Sequence, residues 1–204
     1  AAAWRAAAAA GAPIDALRPI AARVGDAWVE AILDGFVLAL AAAARGPGAG
    51  RRTAATLRDL GDRVIGRAVR RADRGQIDAF IAFLDDHLSG RTADGAPAIA
   101  FPVDDALAAA LAPVLPTIRT GALADPDDLA RAFHGTMDAA LPRFLDGPLR
   151  VLGLGAIARA AVRVGRGSVA GRVRAEVDRA VVDPVRAARL AALLAGFVTG
   201  WQGG

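Results

Sequence analysis

Two histidines and a scatter of carboxylates are the residues of this chain best suited to acid–base or metal chemistry. Asp26, Glu30 and Asp34 recur at steps of four, which places all three on one stripe of a helix. His134 and Asp138 also stand one helical turn apart, so they would present a nitrogen and an oxygen to the same ion. Asp85, Asp86 and His87 form a third group. An aspartate pair of that kind gathers Mg²⁺ around a diphosphate when a second acidic motif faces it, and no such motif is evident. A helical di-iron centre needs inward glutamates and two Glu-x-x-His pairs, whereas the chain has two glutamates, Glu30 and Glu176, and no such pair. The candidate ligands are therefore Asp26, Glu30, Asp34, His134 and Asp138, with structural ion pairing as the competing use of the same side chains. No resident cofactor is expected.

Nucleophilic catalysis has little to draw on. There is no cysteine, and the two serines, Ser89 and Ser168, do not sit in strand-to-helix elbows. The segment GLGAIA resembles the glycine-rich dinucleotide fingerprint, with Gly153, Gly155 and Ala158 in the three glycine places. That motif works at a strand-to-helix turn inside alternating strand and helix units. Here the sequence after Ala158 reads as helical and arginine-rich and no such units precede it, so nucleotide binding is the third-ranked reading.

Arginine is the most insistent feature. All 25 basic residues are Arg and 19 of the 21 acids are Asp, so the high isoelectric point follows from a cation that does not titrate and does not by itself indicate nucleic acid. Lys, Asn, Tyr and Cys are absent while Ala, Gly, Arg, Asp, Leu and Val dominate, as expected of a GC-rich, bacterial coding sequence. Charge is blocked along the chain: residues 45–74 carry nine arginines against three acids, 76–142 three against ten, and 143–189 ten against four. Within the basic blocks Arg63, Arg67, Arg70 and Arg71, and then Arg159, Arg163 and Arg166, follow helical spacing. Such faces bind an anionic surface or partner helix, or are neutralised by the acidic block between them. Few aromatics accompany them, which disfavours base stacking.

The elements that must position these residues are helices. Ile14, Leu17, Ile20, Val24, Trp28, Ile32, Phe36 and Leu40 recur at steps of three and four, predicting a helix from about Pro13 to Arg45. Its apolar run has spanning length, but two interior carboxylates make a buried bundle helix the better reading. GPGAG at 46–50 breaks the chain, with Thr53 expected to cap a helix to about Asp73 and another following from Gln76 to Leu88. Asp125 with Pro126, and Asp183 with Pro184, are helix starts. No apolar/polar alternation of strand length persists.

The expectation is an all-α bundle of six to eight helices: an alanine-rich tail over 1–12, then one helical domain over 13–204 that could part into two subdomains near 91–102. Trp28, Phe36, Phe197 and Trp201 are expected in an apolar core or subunit interface. The function expected is that of a non-enzymatic interaction or accessory protein, cytoplasmic or peripheral to a membrane. Its partner would be another protein or a second copy of the chain, or an anionic membrane surface, with nucleic acid less favoured. A small enzyme or ligand binder using a carboxylate and histidine metal site is the alternative.

Overall fold

The computed structural model describes residues 2–87, 90–91, 97–98 and 101–198 and shows an all-α bundle. In chain order its helices are α1 (Ala2–Ala9), α2 (Ile14–Arg45), α3 (Arg51–Arg71), α4 (Arg74–His87), α5 (Asp105–Leu111), α6 (Leu115–Arg119), α7 (Pro126–Leu141 and its continuation to Val151), α8 (Ala156–Val181) and α9 (Pro184–Phe197). Eight of these among the described residues have seven residues or more. Between α4 and α5, the two-residue segments Gly90–Arg91 and Pro97–Ala98 pair antiparallel.

Local chemistry sets several of the boundaries. Asp125 accepts from the amides of Asp127 and Asp128, and Asp183 from those of Val185 and Arg186, with proline in the first turn of each helix. Asp104 caps α5 in the same way through the Leu107 amide. These caps satisfy amides that have no partner inside the helix. Thr53 does not cap α3. Gly50, at φ +81°, takes the position before Arg51 and lets the chain turn in a left-handed conformation closed to most residues.

The alanine-rich start is a docked helix instead of a tail. Trp4 is 3% exposed, its indole donates to Asp78 at 3.1 Å, and the Arg74 guanidinium lies over its ring. The buried indole removes about 150–250 Å² from water, and Ala7 and Ala8 pack against the same cluster.

Helix α7 does not stop at Leu141. Pro142 removes the amide that would bond the Asp138 carbonyl, and Pro148 removes the one that would bond Phe144. The chain absorbs this by widening to a π-helix over Pro142–Asp146 before a last turn at Gly147–Val151. A second π-helical stretch, Leu33–Leu38, interrupts α2.

The interior divides into two apolar clusters. One gathers Trp4, Leu17, Trp28, Ile65, Ile77, Phe80, Leu84 and Phe144; the other gathers Leu40, Leu111, Phe133, Val177, Leu190 and Leu194. Helices α2 and α7 supply residues to both, so the two cores do not follow a cut of the chain near 91–102. Among the described residues α2 is the one helix long and apolar enough to cross a membrane by composition, yet Leu17, Trp28, Ile32, Leu33 and Leu40 are all buried within the bundle.

Candidate functional site

The acidic stripe of α2 faces α3. Arg58 lies 3.7 Å from Glu30 and 3.7 Å from Asp34, answering two of the three carboxylates. Burial, then the neighbouring Asp62 and Glu30 charges, push the Asp26 carboxyl above its usual range. On α7 the two expected ligands part company. His134 Nε2 comes within 3.0 Å of Asp178, without aiming its N–H well at that oxygen, while Asp138 pairs with Arg174. Both contacts reach α8 at different residues. Asp85 meets Arg5 at 3.9 Å, and His87 stacks on Phe83 with ring centres 4.2 Å apart while its Nδ1 meets the Phe83 carbonyl at 2.9 Å. Among the described residues no three His, Asp or Glu side chains come together as a ligand set. Contacts between helices engage Glu30, Asp34, His134 and Asp138, whereas Asp26 stands beside Asp62 and Glu30.

The glycine-rich segment has lost its fingerprint context. What precedes it is the last turn of α7, not a strand. Gly153 adopts φ +67°, and a Cβ there would sit 2.3 Å from the Gln76 amide nitrogen. Its close approach is to a side chain of α4.

The arginines of the two basic blocks divide into a paired and an unpaired set. Arg5, Arg18, Arg45, Arg58, Arg74, Arg131, Arg143, Arg174, Arg179 and Arg186 all meet carboxylates. On α3, Arg63, Arg67, Arg70 and Arg71 are exposed, and on α8 so are Arg159 and Arg163. None of these six makes an ion pair among the described residues; Arg63 bonds only the Asp59 carbonyl of its own helix. Arg166 departs from the expectation, because Asp146 from the π-helical stretch of α7 holds it. The acidic block therefore neutralises other arginines, such as Arg143 and Arg174.

Between α3 and α8 the surface opens into an apolar groove of about 140 Å³. Both π-helical stretches contribute to its walls, through Leu33, Phe36 and Val37 on α2 and through Phe144 and Leu145 on α7. Leu57, Gly61 and Val64 line it from α3, and Val162, Gly165, Arg166 and Val169 from α8. A cleft of about 360 Å³ lies beside it, bounded by Asp146, Leu149, Arg150, Arg159, Val162 and Arg163. Departures from α-helical geometry recur at functional sites because they redirect side chains without ending the helix.

The expected aromatic interface separates into three fates. Trp28 is 1% exposed and belongs to the core, packed edge-on against Phe83 and Phe144. Phe36 stacks on Phe197 at 5.6 Å beside the groove. Trp201 lies outside the described residues. The groove residues of α7 were missed by sequence reasoning; the signal available was the pair Pro142 and Pro148, each removing a helix donor. Comparison with protein-family models, with curated proteins and with solved structures finds no match to this chain.

Proposed function

We propose that this protein is a non-enzymatic binding module that engages an anionic surface through the unpaired arginines of α3 and α8. One observation carries the reading: six arginines on α3 and α8 stand exposed without a carboxylate partner among the described residues, although carboxylates engage eleven others. A guanidinium left in water keeps its full capacity for bidentate contact with phosphate or carboxylate oxygens. Arg67 and Arg71 follow Val64 by three and seven positions, so the charged face of α3 adjoins the groove. Acidic lipid headgroups beside apolar chains match that combination of charge and aliphatic surface.

The test is co-sedimentation with vesicles of mixed acidic and neutral phospholipid against wholly neutral ones, with polyglutamate and duplex DNA as competing anions. The expected result is salt-sensitive binding to the acidic vesicles alone. Neutralising Arg63, Arg67, Arg70 and Arg71 to Gln should weaken it by about fivefold per residue, since each basic residue near such a surface contributes about 1 kcal/mol. Equal binding to neutral vesicles, or binding that the fourfold variant leaves intact, would overturn the reading. Preference for polyglutamate over lipid would reassign the partner to an acidic protein.

A further inference from the structure

We propose that the apolar groove and the arginine cleft form one site for an amphipathic anion, a single hydrocarbon chain ending in a carboxylate or phosphate head. The proposal deepens the anionic-surface reading and rests on it for the chemistry of the head. The two cavities adjoin, with Leu149 and Val162 in the walls of both. Their characters differ sharply along that line. The groove is aliphatic and aromatic except for Arg166 at its edge. The cleft holds Arg150, Arg159 and Arg163 against a single carboxylate, Asp146, which is already engaged by Arg166. A ligand charged at one end and apolar at the other satisfies both halves at once. An isolated phosphate would leave the groove in water, and a neutral hydrocarbon would leave the cations unanswered.

Size fits this occupant. A dry cavity of about 150 Å³ lined by aliphatic and aromatic groups holds a benzene-sized molecule, so a groove of about 140 Å³ that is open along one side takes a stretch of acyl chain. Gly165 provides a direct handle on the chain half. A Cβ added there meets nothing within 4 Å, and the residue is helical and lines the groove. A side chain introduced at this position therefore starts in open space on the groove wall.

The experiment titrates full-length protein with dodecanoate, dodecyl phosphate and dodecanol below their micellar concentrations, using calorimetry and tryptophan quenching by a chain-brominated dodecanoate. Saturable binding of both anions is expected, with quenching through Trp28 in the groove wall. Gly165→Leu should weaken both by about tenfold or more while helix content stays at the wild-type level. Arg159→Gln with Arg163→Gln should weaken both anions and leave dodecanol unchanged. A preference between the two anions identifies the head. Absence of saturable binding, or binding that Gly165→Leu does not alter, overturns the site. Protein that sediments with acidic vesicles yet takes up neither anion overturns this inference alone, whereas protein that takes up dodecanoate but ignores vesicles overturns the surface reading and leaves the groove standing.

Discussion

The indole nitrogen of Trp28 donates to the carbonyl of Phe144 across 3.4 Å, tying the middle of α2 to the π-helical stretch of α7. That carbonyl is available because the residue four positions on is Pro148, which has no amide to offer it. The same two rings pack edge to face with centres 5.7 Å apart. One side chain thus secures a helix irregularity and a wall of the groove.

Replacing Trp28 separates these roles. Trp28→Ala should cost about 3–5 kcal/mol, the range for emptying a large buried aromatic site. Trp28→Phe keeps most of the packing and loses a long hydrogen bond, so its ring deficit and the lost bond together should cost clearly less, the bond itself contributing about 0.5–1.5 kcal/mol. Denaturant melts of the two variants check the order; equal losses would show that the packing reading is wrong.

Glycines test the helix contacts in opposite directions. A Cβ on Gly25 would lie 2.6 Å from Ile65 and 3.4 Å from Phe80, where α2, α3 and α4 meet in the first core. Gly25→Ala should therefore destabilise by about 1–3 kcal/mol through overpacking, more than the gain in helix propensity returns. On α8, Gly171 is exposed and its added Cβ would meet nothing within 4 Å, so Gly171→Ala should stabilise by about 0.5–1 kcal/mol. Thermal melts with a common baseline decide both signs.

Much of this architecture was legible locally and the site was not. Asp125 with Pro126 and Asp183 with Pro184 start helices where the sequence placed them, because a cap and its amides lie within three residues of each other. The apolar stripe from Ile14 through Leu40 likewise marks α2. Trp4 escaped notice because an isolated aromatic among alanines carries no period, and its partner Asp78 is 74 residues away. The fate of each arginine was equally hidden. Arg166 differs from Arg163 only in what the fold brings beside it, and a proline at 142 reads locally as a stop although the bundle absorbs it as a wider turn.

Asp26 predicts a pH dependence. Burial, Asp62 and Glu30 raise its folded carboxyl pKa, so the folded state holds the proton more tightly than the unfolded chain does. The favourable contribution is present when both states are protonated and is lost as pH rises through the raised value, leaving a penalty at neutral pH. Asp26→Asn should consequently raise Tm at neutral pH, with the difference closing as pH falls below the usual carboxylate range near 3.8. A neutral-pH Tm that falls in this variant would mean that the carboxylate is favourably engaged when charged.

Neighbouring arginines on α8 should separate stability from binding. Arg166 is 26% exposed and pairs with an Asp146 that is 30% exposed, whereas Arg159 and Arg163 are exposed and make no ion pair among the described residues. Arg166→Gln leaves a half-buried carboxylate without its cation, and its melt should fall by up to about 1 kcal/mol, the upper part of the range for solvent-screened pairs. Arg159→Gln and Arg163→Gln have no ion pair to lose and should melt like wild type. Their effect belongs to the complex, where each lost phosphate contact lowers affinity and flattens its dependence on salt because fewer counterions are released. If Arg159 and Arg163 instead stabilise the free protein, the double variant will melt earlier while its salt slope on acidic vesicles matches that of wild type. That pattern would return both residues to the role of neutralising charge within the fold.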